Sequence, residues 1–437
     1  MYHYLGPTHR AQLATYKYSS GGSSFISTYV LGPYWNWLVT LFPTWVAPNT
    51  ITLSGLLLVF ANFLSLVALD GELDHSTHMR TYVLAPQADT LLPVVPLLPH
   101  AGLPASLATY TPTSEGKVPS WLLLVWAVCL FLYQSLDAID GKQARRTNMA
   151  GPLGELFDHG CDALNTTLET IMVSAVTGLG RSHWTIVGLV SAMSNFFLTT
   201  WDEYHTKTLF LSSFSGPVEG ILIICVLFIA TALLSPTMFM QGVLHVLGLE
   251  KSAWVREHMA FLNIPLGDFL MVLASLGLLM NAWTAYQNVR KHCRQERLSV
   301  WSPLLGLFPF VVQCVANITW LQGQGMRIMT HGRVFVPFLV SWGLSFAYLV
   351  GLVILAHVCR RSYPFWNMLL VPSVLLAVDA HLSSPVLQHS VAMTEYAVYS
   401  YLALSFAVYG YFVYDVIQTI TQETGKPCFH VVQKHNE

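Results

Sequence analysis

Ten stretches of apolar residues, most of them close to twenty long, recur along this chain and leave few folds open to it. A helix needs about 20 apolar residues to cross the hydrocarbon core of a bilayer, and in that solvent only helices or closed barrels satisfy their own backbone. The stretches are 50–70, 119–138, 156–178, 183–200, 216–240, 264–286, 301–322, 334–358, 364–381 and 393–417. Composition agrees. Of 437 residues, 54% are hydrophobic and 10% charged, whereas a soluble protein carries about 25% charged residues. The expected fold is an all-α integral membrane protein with ten transmembrane helices. A formal net charge of -2 argues against a nucleic-acid partner. Seven cysteines (129, 161, 225, 293, 314, 359 and 428) form no C-x-x-C pair and read as buried free thiols. The first twenty residues lack the apolar core and cleavage site of a secretory signal.

Ahead of the first stretch, Trp35, Trp37 and Trp45 suit an interfacial helix, because indole rings favour the headgroup level. Residues 71–118 carry Pro86, Pro93, Pro96, Pro99, Pro104 and Pro112. Proline blocks helix interiors, so an irregular extramembrane loop is expected there. With a cytosolic N-terminus, 14 of the 21 basic residues fall on the cytosolic side and 7 on the other. The positive-inside rule then puts both termini and residues 139–155 in the cytosol. The sequons at Asn165 and Asn317 lie inside predicted spans and read as accidents. The division expected is an N-terminal segment 1–47, a catalytic core 48–240, further transmembrane helices 241–420 and a tail 421–437.

Against this apolar background, residues 135–162 read SLDAIDGKQARRTNMAGPLGELFDHGCD. Asp137 and Asp140 are three apart at the end of the second stretch. Asp158 and Asp162 are four apart at the start of the third. Each spacing puts its pair on one helix face, and a turn holding Gly151, Pro152 and Gly154 can set the two helices side by side. Each Asp costs roughly 2.5–3.5 kcal/mol at mid-membrane even on lenient scales, and like charges resist joint ionisation. Divalent cations answer both objections, since carboxylate oxygens are the hard ligands Mg²⁺ prefers. Two ions about 3.5–4 Å apart would suit phosphoryl chemistry. Small residues, Gly141 and Ala144, let a ligand approach the backbone, and Arg145 can chelate phosphate oxygens. Lys142 and Arg146 read equally well as topology signals. His159 has the proton affinity of a general base, with an unperturbed pKa of about 6.5. Glu155, one helical turn earlier, could orient it.

The order Asp137-x-x-Asp140-Gly141-x-x-Ala144-Arg145, eight residues, then Gly154-x-x-x-Asp158-x-x-x-Asp162 resembles the full signature of the CDP-alcohol phosphotransferases. Pro48-Asn49-Thr50-Ile51-Thr52 is similar to the family's lead into its first core helix. Trp201-Asp202-Glu203-Tyr204-His205-Thr206 and Ser215-Gly216-Pro217-Val218-Glu219-Gly220 resemble the eukaryotic, especially fungal, choline/ethanolamine phosphotransferase branch. The resemblance implies attack by diacylglycerol's hydroxyl on the β-phosphorus of CDP-choline or CDP-ethanolamine, releasing CMP. It implies that Asp137, Asp140, Asp158 and Asp162 hold Mg²⁺ or Mn²⁺, with two ions expected. Gly141, Ala144 and Arg145 would line the CDP site, and Asn49 would contact the nucleotide. His159 with Glu155 would serve as base, although elsewhere in the family the fourth Asp takes that role. A homodimer in the membrane of the endoplasmic reticulum or Golgi, facing the cytosol, is also implied. Head-group choice is left open, with Trp201, Tyr204, Tyr401 and Tyr409 as aromatic candidates.

Two other functions meet the same acids. A membrane prenyltransferase using Mg²⁺ would need a second Asp motif, and the remaining membrane acids (Glu219, Asp268, Asp379) are scattered. A cation transporter would explain the carboxylates and leave the Gly-x-x-Ala-Arg register without purpose.

Overall fold

A computed structural model describes residues 3–6, 10, 12, 13, 16, 20, 21, 24–77, 117–210 and 216–431. The six loop prolines and Ser215 lie outside the described residues. Among the described residues the fold is helical, apart from a two-residue parallel pairing of β1 (Ser20–Gly21) with β2 (Leu209–Phe210) and an isolated antiparallel bridge between Gly242 and Pro265. A short helix α1 (Gly32–Leu38) leads in. The main helices are α2 (Pro48–Asp70), α3 (Ser120–Arg146), α4 (Pro152–Val176), α5 (His183–Thr206), α6 (Pro217–Leu234) and α7 (Leu266–Gln295). After them come α8 (Phe308–Thr330), α9 (Gly332–Val358), α10 (Leu370–His381) and α11 (Val391–Thr424). Pro48, Pro152 and Pro217 open α2, α4 and α6, where a first-turn N–H has no helical partner to lose.

Among the described residues, seven helical segments are long and apolar enough to cross a membrane: α2, α3, α6, α7, Trp301–Thr330, α9 and α11. The chain is thus an all-α integral membrane protein. Two more predicted stretches are helices of sufficient length, α4 with 25 residues and α5 with 24, but their polar content keeps them outside that set. The stretch 364–381 holds a helix of only 12 residues. At 1.5 Å per residue it spans about 18 Å, against about 30 Å of hydrocarbon, and residues 364–367 before it are irregular. The expected count of ten therefore rests on α4, α5 and this half-length helix.

The lead-in segment has two faces. Trp37 and Trp45 are exposed, whereas Trp35 is buried with Leu31, Val39, Ile51 and Ile139. All seven cysteines are free, and all but Cys129 are buried. Asn165 donates to Glu169 at 2.6 Å and Asn317 to the Gln313 carbonyl at 2.9 Å. Both asparagines are buried in helices, which fits their reading as accidental sequons.

At the centre, α4 packs against α2, α3, α5, α6, α9 and α11. Glycines set two of the spacings around it. A Cβ on Gly343 of α9 would meet the Thr167 side chain of α4 at 2.5 Å, and one on Gly55 of α2 would meet the Tyr133 ring of α3 at 3.1 Å. Beyond α4, an aromatic core of Trp320, Phe338, Trp342 and Tyr401 joins α8, α9 and α11.

Candidate active site

The acidic residues converge where α3 ends and α4 begins. Carboxylate oxygens of Asp137, Asp158 and Asp162 come within 4.8 Å of one another. Asp140, one turn beyond Asp137, accepts a hydrogen bond of 2.6 Å from the Thr52 hydroxyl of α2. The Tyr133 hydroxyl donates to Asp162. Tyr133 lies four residues before Asp137 on the same helix face, so α3 supplies both an acid of the cluster and the donor that fixes another. Oδ1 of Asp137 and Oδ1 of Asp158 are buried without any hydrogen-bond partner. Unpaired buried carboxylate oxygens are costly, and hard oxygen donors crowded this closely fit a divalent cation. The residues present therefore suit Mg²⁺ or Mn²⁺.

Three cations on α3 have three different surroundings. Lys142 donates to Asn36 at 2.8 Å. Arg146 donates to the carbonyls of Val39 and Phe42 and to Gln143. These two tie α3 to the lead-in segment. Arg145 is exposed and makes no side-chain hydrogen bond or ion pair among the described residues, which leaves its guanidinium available to an anion. Beside it, a Cβ on Gly141 would meet only the Arg145 guanidinium, at 3.8 Å, and one on Gly154 would meet nothing within 4 Å. Ala144 is half-buried on the same turn.

Asn49 is buried and donates to Cys428 Sγ at 3.4 Å. It also lines a cavity of about 280 Å³ with Tyr16, Met149, Gly154 and Lys426. The rim is completed by chain that follows α11. Lys426 donates to the Ala150 carbonyl at 2.6 Å, Thr50 donates to the Phe429 carbonyl at 3.3 Å, and the Phe429 ring meets Phe157 edge-on at 5.7 Å.

His159 is half-buried, with Phe196 of α5 edge-on to its ring at 6.4 Å. Glu155 forms no hydrogen bond to it. Both Glu155 oxygens are buried without partners, and an oxygen of this carboxylate groups within 4.8 Å of Glu203 on α5 and His357 on α9. Sequence reasoning quoted Glu203 only as part of a longer likeness, and missed Thr52, Tyr133 and His357 as site residues. Tyr133 had a signal in its spacing to Asp137; His357 had none.

Each of the four aromatic candidates has its polar group bonded to a backbone carbonyl, that of Tyr409 within the acidic segment itself. Trp201 donates to the Pro303 carbonyl at 2.8 Å, Tyr204 to Arg361 at 2.6 Å, Tyr401 to Leu369 at 3.2 Å and Tyr409 to Gly160 at 3.4 Å. Asp379 accepts backbone N–H bonds from Val386, Leu387 and Gln388, which marks it as a loop anchor rather than part of a second Asp motif.

Comparison with known proteins agrees with this geometry. Residues 104–254, which hold the whole acidic cluster, match the family model described as CDP-alcohol phosphatidyltransferase. An uncharacterised CDP-alcohol phosphatidyltransferase class-I family protein of Schizosaccharomyces pombe is 34% identical over 97% of this chain and 96% of its own. Choline/ethanolaminephosphotransferase 1 of Saccharomyces cerevisiae is 33% identical over 85% of this chain and 83% of its own. Its namesake in Arabidopsis thaliana is 31% identical over 99% of both. Likeness along nearly the whole chain, with the eight signature positions gathered at one helix junction, makes this protein a member of the CDP-alcohol phosphatidyltransferase family.

Proposed function

We propose that the protein transfers phosphocholine or phosphoethanolamine from the CDP-alcohol to the free hydroxyl of diacylglycerol, releasing CMP. The observation that carries this reading is the convergence of Asp137, Asp158 and Asp162 with buried, unpartnered oxygens, in a chain whose relatives are named choline/ethanolaminephosphotransferases. Asp137, Asp140, Asp158 and Asp162 would hold one or two Mg²⁺ or Mn²⁺ ions. A bound divalent ion would neutralise charge developing on the diphosphate as CMP leaves. Thr52 and Tyr133 hold Asp140 and Asp162 in place through their hydroxyls. Arg145 binds a phosphate oxygen, Gly141 and Ala144 leave room for the diphosphate, and Asn49 contacts the nucleotide from the cavity wall.

His159 takes the hydroxyl proton of diacylglycerol. The freed oxygen bonds to the β-phosphorus as the bond from that phosphorus to the bridging oxygen breaks, and the electron pair leaves with CMP. Glu155, on the preceding turn, places negative charge near the imidazole. The Tyr133 hydrogen bond to Asp162 and the place of Asp162 among the clustered acids support His159 over Asp162 as base.

The same reading makes residues 48–240 the catalytic core. It also takes the protein as a homodimer of the endoplasmic reticulum or Golgi membrane, with its mouth toward the cytosol. The deciding experiment offers purified protein CDP-choline, CDP-ethanolamine or CDP with diacylglycerol, with and without Mg²⁺. Phospholipid and CMP should appear in equal amounts from the first two donors and only with metal. Product formation in excess chelator would reject the metal-site reading. For orientation, a cysteine placed at Asn148, which is exposed beyond α3, should react with an impermeant reagent on sealed right-side-out microsomes. Labelling confined to permeabilised membranes, in the absence of substrate, would reverse the assignment.

A further inference from the structure

Beside the Asp cluster lies a second group of ionisable side chains, of which the transfer step uses Glu155 alone. Glu155 of α4 and Glu203 of α5 are both more than nine-tenths buried, at 7% and 3% exposure. Together with His357 of α9 they present ligand atoms within 4.8 Å of one another. Both oxygens of Glu155 and Nδ1 of His357 are buried without a hydrogen-bond partner. Lys207, one turn after Glu203, forms no ion pair with it among the described residues: its ammonium donates to the Tyr204 carbonyl at 2.5 Å and lies 4.5 Å above the Tyr204 ring. Two facing carboxylates repel and are poorly solvated, and with Lys207 bonded to Tyr204 the unpartnered Glu155 oxygens and His357 Nδ1 leave room for a further cation.

We infer that Glu155, Glu203 and His357 form the seat for the organic ammonium of the activated alcohol. The inference rests on the proposed transfer reaction and extends it to the head group. Glu155, Asp158, His159 and Asp162 fall within about 100° of arc on α4, and three residues of rise separate Glu155 from Asp158 by about 4.5 Å. That offset matches the short reach of a two-carbon linker between a phosphate held at the Asp cluster and an ammonium held at the Glu pair. The seat has one aromatic wall, since Tyr16 stands edge-on to the His357 imidazole at 6.1 Å. Two carboxylates serve a primary or a quaternary ammonium by charge. The imidazole nitrogen can accept a hydrogen bond only from a primary one, so the seat admits both head groups and gives ethanolamine an extra contact.

The test is equilibrium binding of labelled CDP-choline, CDP-ethanolamine, CDP and CMP to the detergent-purified full chain with Mg²⁺. Glu203→Gln, which keeps the shape and removes the charge, should weaken both CDP-alcohols by roughly 10- to 100-fold, the usual weight of a hydrogen bond or contact to a charged partner. CMP affinity should stay within twofold. His357→Leu should weaken CDP-ethanolamine more than CDP-choline. Unchanged CDP-alcohol affinity in Glu203→Gln would overturn the seat, and so would equal losses of CDP-choline and CMP in both variants. A Mn²⁺ count by electron paramagnetic resonance that falls by one ion in Glu203→Gln would assign the cluster to a metal instead. If the parent protein binds CMP yet prefers neither CDP-alcohol over CDP, the transfer reading itself fails, and that outcome is separate from any variant.

Discussion

Two helices lie side by side at the centre of the bundle and follow opposite rules. α9 is buried along nearly all of its length by apolar side chains, and its titratable groups are Arg333 at the start, Tyr348 and, near its end, His357. α4 is as central, yet it carries Glu155, Asp158, His159, Asp162 and Glu169. Hydropathy finds α9 and passes over α4. The helix that a membrane protein can least spare for chemistry is therefore the one that composition hides, because the polar groups that work are the same groups that lower its apolar count. α9 supplies the rigid wall against which those groups are held, with Gly343 allowing Thr167 to close up.

The sharpest break of this contrast is on α4. Asp158→Ala should abolish phospholipid formation while the protein still inserts and elutes as the parent does, and chelation of the parent should match it until Mg²⁺ or Mn²⁺ is returned. Residual turnover near the parent's would mean that the acids are structural. His159→Ala should slow transfer by about 10²–10⁴-fold, the range of general-base catalysis, with CDP-choline affinity nearly intact; a variant within threefold of the parent would remove His159 as base. On α3 the two neighbouring arginines should separate. Arg145→Met should weaken CDP-choline by roughly 10- to 100-fold, as expected for a charged hydrogen-bond partner, whereas Arg146→Met should lower the melting temperature and leave affinity alone, because its guanidinium binds the Val39 and Phe42 carbonyls. Equal behaviour of the two would erase that distinction. The smallest effect on turnover belongs to α9. Gly343→Ala overpacks the contact with Thr167 and should cost about 1–3 kcal/mol of stability, read as a lower melting temperature with near-normal activity per folded molecule.

What could be read from the chain follows from range. Asp137, Asp140, Asp158 and Asp162 were legible because helical spacing fixes which side chains share a face, and a Gly-Pro turn fixes which helices meet. The helices themselves were legible at their starts to within about a turn where apolar runs are long, whereas α3 and α7 run on to Arg146 and Gln295, well past the expected ends at 138 and 286. The half-length α10 was not, since an apolar run does not reveal whether its first residues, 364–367, wind into a helix. Nor was the surrounding of Glu155. Its natural partner by spacing is His159, yet the fold sets it against Glu203 of α5 and His357 of α9, 48 and 202 residues further along the chain. The roles of Lys142 and Arg146 were equally hidden, because each depends on where the lead-in segment lies.

The rim made by the chain after α11 has a consequence for the order of synthesis. Lys426 and its partner Ala150 are 276 residues apart, as Asn49 and Cys428 are 379 apart. The spans that carry the acids are made and inserted long before the residues that finish the cavity beside them. During translation the growing chain therefore carries its acidic residues before the cavity beside them has its full rim, which waits for the residues that follow α11.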